Sequence, residues 1–330
     1  MRHHYWEWPI ATYLFLGGMG GGMFFLAAVL SFFVMPEQAA LVGSALAWPT
    51  FFALVWLAVG CFLLVFELGQ HYAFVYVFFN SMTSVIGHGA RLLCVALIFG
   101  LFWWISYLPW EWIAPLAGFF ATFRVLNLAL AGLAGFCIML YTGILFSTLK
   151  AHSFWATPAL PVLFTVSALS TACACTMLCL GFTGLYPNVG IFGQAAIAFV
   201  GFEIHELLHT LDIILILAEL TVLLLLVLSL MCAGNKVAHD AAARWVRGSY
   251  APLFWLGMVC CGLVLPLLLN IIGMSAPAAV LALCGGLLLR FLIVFTDDRA
   301  EIPGETRYFS RLKKPGTEFM TKWADGENIY

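Results

Sequence analysis

The strongest constraint on this sequence is a series of apolar segments, each long enough to cross a lipid bilayer as a helix. A spanning helix needs about 20 predominantly apolar residues. We count eight such segments, at residues 10–35, 44–66, 85–108, 124–147, 158–181, 204–232, 252–272 and 277–296. Residues 298–330 form a polar tail.

The composition agrees with a membrane protein and excludes an ordinary soluble domain. The 330 residues are 64% hydrophobic and only 9% charged, whereas about 25% charged residues is typical of soluble domains. The apolar segments do not alternate with polar residues as the strands of a membrane barrel do. A net charge of −2 gives no basic surface for nucleic acid. We therefore predict an all-α integral membrane protein with eight transmembrane helices in the lipid bilayer.

Charged residues predict the orientation of the chain in the membrane. Eight crossings place both termini at one face, here named the terminus face; the other is the opposite face. Of the 14 Lys and Arg residues, all but Arg124 lie on the terminus face or at a segment end that faces it. Because cytoplasmic loops carry the excess of Lys and Arg, both termini are predicted to be cytoplasmic, in a cell (inner or plasma) membrane.

The sixth segment carries ionisable residues on one helical face. His205, His209, Asp212 and Glu219 follow the spacing i, i+4, i+7 and i+14, which places them along one side of a helix. An ionisable group at this depth is costly in lipid and is expected to face the bundle interior and to have a function.

One interpretation of this face is a zinc site. His205-Glu206-Leu207-Leu208-His209 has the H-E-x-x-H spacing of zinc proteases, in which the glutamate acts as the base. Asp212 is a candidate third ligand. Against this, Glu206 comes only two residues after the predicted start of the segment, and the later segments offer no further His or Asp cluster.

A second interpretation is a haem site. His205 and His209 lie on the same face of one helix and cannot both ligate one iron. His71 could partner one of them, but the first five segments contain no pair of histidines. The ten cysteines lie in apolar segments without a C-x-x-C pair, so we expect neither haem nor an iron–sulfur cluster in this chain.

A third interpretation is redox chemistry with a quinone, which requires hydrogen bonds to its carbonyls and a route for protons. Candidate residues converge on the terminus face, and they are Tyr13, Glu67, His71, His88, Arg91 and Tyr141. Individually each of them also fits an ordinary interfacial residue.

Six stretches resemble one known family, the NrfD family of polysulfide-reductase-type membrane subunits. They are WPIATYLFLGG (8–18), NSMTSVIGHGA (80–90), YTGILFSTLK (141–150), TPALPVLFTVSALS (157–170), FWLGMVCCGLVLPLLL (254–269) and APAAVLALCGGLLLRF (276–291). The resemblance implies two four-helix bundles, here residues 1–152 and 153–297. It also implies electron exchange between a menaquinone-type quinone and a four-cluster ferredoxin-like iron–sulfur subunit, which is bound to a molybdopterin catalytic subunit.

The resemblance also implies roles for individual residues. Tyr141 matches a tyrosine at the quinone site of some relatives, Tyr13 stands where some have histidine, and Glu67 where they often have His or Asp. Together with His71 these are the predicted quinone-binding residues. His209, Asp212 and Glu219 fit the family pattern and are the predicted proton-transfer residues, whereas His205 and Glu206 lie outside it.

The sequence thus predicts a quinone-reactive membrane anchor of a multi-subunit oxidoreductase. The alternatives are an intramembrane zinc protease and a proton-coupled transporter that uses the acids of the sixth segment. In the best-known relatives the quinone and the cluster partner face the outside at the terminus face, whereas the charges here place that face in the cytoplasm.

The orientation can be tested with reporter fusions. A reporter fused after Tyr330 is expected to be active only in the cytoplasm, because thirteen of the fourteen Lys and Arg residues lie on that side. A matched fusion within residues 182–200 should be active only outside. The reverse pattern would contradict the predicted orientation and restore that of the best-known relatives.

Overall fold

The computed structural model describes residues 8–67, 85–108, 111–149, 154–181, 194–232 and 236–296, and these residues are almost entirely helical. The α-helices are α1 (Trp8–Val29), α2 (Ala39–Ala45), α3 (Ala47–Glu67), α4 (Val85–Ile105), α5 (Ala114–Thr122), α6 (Arg124–Ser147), α7 (Ala159–Leu180), α8 (Gln194–Met231), α9 (Lys236–Val246), α10 (Leu265–Ile272) and α11 (Ser275–Phe295). The π-helical segment Leu30–Val34 extends α1, and another, Leu253–Val264, leads directly into α10. Short 3-10 turns cover Pro36–Gln38 and Glu111–Ile113.

Eight helices in the described ranges are long and apolar enough to cross a membrane. The predicted fold class, an all-α protein with eight transmembrane helices, is confirmed. Large apolar side chains point outward from these helices, for example Val125, Leu133 and Ile271. In water such a surface would be unfavourable, but it matches the hydrocarbon of a bilayer.

The predicted ends of the segments agree with the structure within a few residues, except at the start of the sixth. That segment was predicted to begin at residue 204, whereas α8 begins at Gln194. The prediction was wrong because apolar composition marks the part of a helix that lies in lipid. The first turns of α8 instead continue the helix beyond that predicted start.

Helix α1 is the centre of the packing. It contacts α3 and α6 on one side and α7 and α11 on the other, and most of its residues are buried. Its backbone touches that of α6 where Gly21 meets Gly135: a Cβ atom on Gly21 would lie 2.8 Å from the Gly135 carbonyl oxygen. Only glycine allows this approach, as is usual where membrane helices cross closely.

The contacts between helices can be compared with the predicted division into two four-helix bundles. Helices α1, α3, α4 and α6 pack together, and so do α7, α8, the π-helical segment with α10, and α11. Helix α1 also contacts α7 and α11 of the second group. The boundaries at residues 152 and 297 stay a prediction.

Arg124, which the sequence places at the opposite face, forms hydrogen bonds with another part of the protein. Its Nη2 donates to the carbonyl oxygen of Ser106 at 3.0 Å and its Nε to Ser106 Oγ at 3.2 Å, just beyond the end of α4. The guanidinium lies 4.2 Å from the centre of the Tyr107 ring. Burial raises the pKa of Tyr107, so this phenol stays neutral beneath the cation. Arg124 therefore caps the end of α4, where a positive charge is favourable.

The crossing of α1 and α6 yields a test of stability. Gly135→Ala places a Cβ atom 2.2 Å from the Gly21 carbonyl oxygen, so the helices must separate, and we expect a loss of about 1–3 kcal/mol. The control is Gly201→Ala in α8, whose Cβ would meet nothing within 4 Å. Thermal unfolding in the same detergent should show a lower midpoint for Gly135→Ala only. Equal midpoints for the two variants would show that the close contact of Gly21 with Gly135 does not contribute to the stability of the protein.

Candidate functional site

Two buried tyrosines lie near the terminus-face ends of α1 and α6. Tyr13 is 2% exposed and Tyr141 is 7% exposed. The Tyr141 ring lies directly against the backbone of α4 at Gly89, where a Cβ atom would come within 2.2 Å of Tyr141 Cζ. Tyr13 lies against α3 at Gly60, whose Cβ position is 3.5 Å from Tyr13 Cδ2. Glycines on two neighbouring helices therefore make room for the two rings.

The hydroxyl groups of this phenol pair, Tyr13 and Tyr141, are available for a ligand. The two phenols interact electrostatically with each other, and Tyr13 also interacts with Cys61. Neither hydroxyl forms a hydrogen bond with another residue that the structure describes. A phenol can donate one hydrogen bond while its ring stays in apolar surroundings. The pair is therefore suited to a flat, mostly apolar ring that carries carbonyl oxygens.

The other candidates on the terminus face are only partly described. Glu67 is the last residue of α3, and its side chain is outside the described part of the chain, as is all of His71. In the first turns of α4, Arg91 Nη1 is 3.5 Å from His88 Nδ1. The structure thus brings Tyr13 and Tyr141 together and leaves the roles of Glu67 and His71 as predictions.

The polar face of α8 is buried against α7 and α10. Asp212 is fully buried. Its carboxyl oxygens accept hydrogen bonds from Ser170 Oγ at 3.0 Å and from Asn270 Nδ2 at 2.9 Å. His209 Nε2 is 3.0 Å from the backbone oxygen of the same Asn270. His209 and Asp212 are therefore linked through one residue of α10.

Two turns further along α8, about 10.5 Å at 1.5 Å per residue, lies Glu219, which is 3% exposed. Its carboxyl group lies close to Ser167 of α7 and interacts electrostatically with Arg290 and Asp212. Arg290 of α11 is 1% exposed, and its Nη1 donates a hydrogen bond to Ser167 Oγ. The Ser167 hydroxyl thus stands between a carboxyl group and a guanidinium group.

These polar groups extend across much of the bundle. At the opposite face, His205 Nε2 is 3.3 Å from the hydroxyl oxygen of Ser275, where α11 begins. Towards the terminus face, Arg290 Nη2 is 4.0 Å from the Cβ position of Gly18 on α1. Tyr13 lies five residues earlier on α1, an axial distance of about 7.5 Å. The buried polar groups therefore approach the phenol pair.

Sequence comparison identifies the family of this protein. Residues 1–297 match the family model described as "Polysulphide reductase, NrfD". The chain belongs to the NrfD polysulphide reductase family. The resemblance carried by the six stretches is thereby confirmed.

Two curated relatives align over most of this NrfD-family protein. It is 31% identical over 310 residues to the C chain of polysulfide reductase from Wolinella succinogenes, an alignment that covers 88% of the present sequence and 93% of that relative. It is 27% identical over 311 residues to "Protein NrfD" of Escherichia coli K12, an alignment that covers 88% of the present sequence and 94% of that relative. Together with the eight apolar helices found in the described ranges, this membership makes the protein a multi-pass membrane protein.

The geometry does not assemble the H-E-x-x-H residues into a zinc site. Glu206 is exposed, while His205 contacts Ser275 and His209 contacts the Asn270 backbone. Among the residues that the structure describes, no group of three or more His, Cys, Asp or Glu side chains could hold a metal ion. A zinc protease would therefore need ligands from outside these ranges.

Sequence reasoning missed the partners of the polar face. Ser167 and Ser170 lie three residues apart in an apolar segment, and this spacing was the available signal for a polar face on α7. Asn270 is likewise a polar residue in an otherwise apolar segment, near its end. Arg290 was counted as a cation at a span end facing the terminus side, and the structure buries its side chain against residues of α7 and α11. The burial was missed because position along a segment does not show which way a side chain points.

Proposed function

We propose that this NrfD-family protein is the quinone-reactive membrane subunit of a multi-subunit oxidoreductase. The observation that carries the proposal is the phenol pair, Tyr13 and Tyr141, two buried residues whose hydroxyls form no hydrogen bond in the described part of the chain. The relative named as the C chain of polysulfide reductase supports a role as one subunit among several. In this proposal electrons pass between a menaquinone-type quinone and a four-cluster ferredoxin-like iron–sulfur subunit, bound to a molybdopterin catalytic subunit.

The residues of the phenol pair fit a quinone in shape and in polarity. When bound, a quinone takes up or releases two electrons and two protons. Tyr141 donates a hydrogen bond to a carbonyl oxygen, and the α4 backbone at Gly89 fixes its ring from behind. Tyr13 offers a second hydroxyl from α1. Both rings also keep water out of the site, which strengthens these hydrogen bonds.

Quinone chemistry also requires a proton route, and we assign it to the polar face of α8. His209, Asp212 and Glu219 are protonatable groups arranged along the helix from the opposite face towards the terminus face. Ser170 of α7 donates a hydrogen bond to Asp212, and Ser167, about one turn away on the same helix, lies close to Glu219. Buried ionisable residues of this kind commonly form proton relays in membrane proteins.

Tyr141→Phe tests the quinone site, because it removes one hydroxyl at nearly constant volume. We expect a loss of about 1–3 kcal/mol of interaction, or roughly five- to more than a hundredfold in quinone-linked rate. The measurement is quinol-dependent reduction of the partner's clusters, with assembly checked by co-purification. The control is Tyr250→Phe, whose hydroxyl instead donates to the Phe295 carbonyl oxygen at 3.4 Å.

Full activity of Tyr141→Phe would remove Tyr141 from the site. The alternative, a transporter that uses Asp212 and Glu219, predicts a different result. In that case the protein would take up a solute together with protons, and this uptake would not depend on quinone.

Glu219→Gln tests the proton route, because it keeps the shape of the side chain and removes the protonatable group. Proton-coupled turnover should fall at least about tenfold, since a positioned acid or base contributes that much or more, while quinone affinity stays close to that of the wild type. The control, Glu203→Gln, changes a carboxyl group on an outer groove of the same helix. Turnover and quinone binding are measured separately in the same membranes. An unchanged turnover would show that Glu219 is a buried polar residue without a role in proton transfer.

A further inference from the structure

Both histidines of the H-E-x-x-H stretch on α8 contact the turn that joins α10 to α11. His209 Nε2 is 3.0 Å from the backbone oxygen of Asn270, and His205 Nε2 is 3.3 Å from Ser275 Oγ. Asn270 lies in the last turn of α10, and Ser275 is the first residue of α11. The i, i+4 spacing of the two histidines therefore brings both rings to one turn at the opposite face.

The way in which α10 ends makes the Asn270 carbonyl available to α8. Gly273 follows the helix with a φ of 89°, a left-handed conformation that glycine adopts without strain. Its N–H donates to the Asn270 oxygen at 3.0 Å, while the N–H of Met274 turns back to the Leu269 oxygen at 2.9 Å. Asn270 thus lacks the hydrogen bond from residue i+4 that a continued helix would supply. A carbonyl oxygen has two lone pairs, and the second accepts from His209.

This contact fixes which ring nitrogen of His209 carries the proton. A carbonyl oxygen can only accept, so Nε2 must be the N–H donor. In the neutral ring the other nitrogen then carries no proton. His209 is only partly buried, and its Nδ1 has no hydrogen-bond partner among the residues that the structure describes. Nδ1 is therefore the atom at which this ring can take up and release a proton.

The side chain of the same Asn270 holds the next protonatable group. Its Nδ2 donates to Asp212 Oδ2 at 2.9 Å, and Ser170 Oγ donates to Asp212 Oδ1 at 3.0 Å. A carboxylate has about four acceptor sites, so each oxygen keeps one for a proton. His209 and Asp212 are three residues apart on α8 and therefore neighbours on one face. One residue of α10 thus orients the ring through its backbone and the carboxyl group through its side chain.

We propose that the end of α10, from Asn270 to Gly273, positions His209 by holding the proton of its neutral ring on Nε2, so that the proton route passes through Nδ1 alone. The proposal deepens the proton route and rests on that part of the proposed function. In the transfer step the N–H bond at Nδ1 of protonated His209 breaks and an O–H bond forms on the Asp212 carboxylate, which leaves a neutral ring and a neutral acid. No electrons move, the Nε2–H bond is kept, and Nδ1 is protonated again from the opposite face.

A purely structural role for this turn predicts something different. If the end of α10 served only to tie that helix to α8, a strained turn would lower the thermal stability and leave the proton of the neutral His209 ring where it is. The position of this proton is therefore a readout that separates the two roles.

The experiment is nitrogen-15 NMR of the full-length chain in lipid nanodiscs with ring-labelled histidine, which distinguishes protonated from unprotonated ring nitrogens. The signals of His209 are those that His209→Gln removes. In the wild type the neutral ring should show a protonated Nε2 and an unprotonated Nδ1.

Gly273→Val should change this pattern, because a β-branched residue does not fit a left-handed conformation. Helix α10 should then continue by one residue, the Met274 N–H should take the Asn270 oxygen, and the neutral His209 ring should show both tautomers. Gly273→Asn should restore the single tautomer, because asparagine tolerates the left-handed conformation. Gly118→Val is the matched control, since Gly118 lies within α5 and a Cβ atom there, as at Gly273, would meet nothing within 4 Å.

The same variants are then compared in the assembled complex. Gly273→Val should slow quinone-linked turnover by about tenfold or more, the least that a positioned acid or base contributes, and Gly273→Asn should recover most of it. Asn270→Leu should also slow turnover while the tautomer stays that of the wild type, because this change removes the donor to Asp212 and keeps the backbone oxygen.

The proposal is overturned if the neutral ring of wild-type His209 carries its proton on Nδ1, or if Gly273→Val leaves a single Nε2-protonated tautomer. It is also overturned if Gly273→Val mixes the tautomers and turnover stays that of the wild type. Should Gly273→Val fail to fold, Gly273→Ala decides by the same criteria. The NMR result needs neither quinone nor partner subunits, so a failure of the quinone proposal is seen separately, as turnover that does not depend on quinone.

Discussion

The backbone contact between Gly21 of α1 and Gly135 of α6 is the constraint on which the rest of the structure depends. Lipid chains are as apolar as leucine side chains, so membrane helices associate through close packing rather than by leaving water. Because α1 also contacts α3, α7 and α11, its distance from α6 sets the spacing of both groups of helices. The distance between α1 and α6 also sets the distance between the two phenols, since Tyr13 is on α1 and Tyr141 is on α6.

Close packing also allows charged groups to stay inside the bundle. Ser170 of α7 donates a hydrogen bond to Asp212, and Ser167 of α7 lies close to Glu219. Both serines lie on one face of α7 and both acids on one face of α8, so the two helices turn polar faces towards each other. Small side chains at this contact keep the helices near each other and supply the hydrogen bonds that the bilayer lacks.

The sequence predicted the number of spanning helices, their order and the polar face of α8, because length, hydropathy and helical period are local properties. It also singled out Tyr13 and Tyr141, but their meeting depends on Gly89 and Gly60, which no local pattern marks as neighbours of these rings. The burial of Arg290 could not be predicted either, since a cation near a segment end extends to water or into the bundle according to the helices that surround it.

The length of α8 has a mechanical consequence. Its 38 residues span about 57 Å, nearly twice the roughly 30 Å of bilayer hydrocarbon, and the described helix has no break between Gln194 and Met231. Asp212 and Glu219 therefore stand on one continuous rod, and their separation along the axis is fixed by the helix itself. Asn270, in contrast, belongs to a span that changes its winding from the π-helical segment Leu253–Val264 to the α-helix α10. The contact between Asp212 and Asn270 thus joins a uniformly wound helix to one of mixed winding.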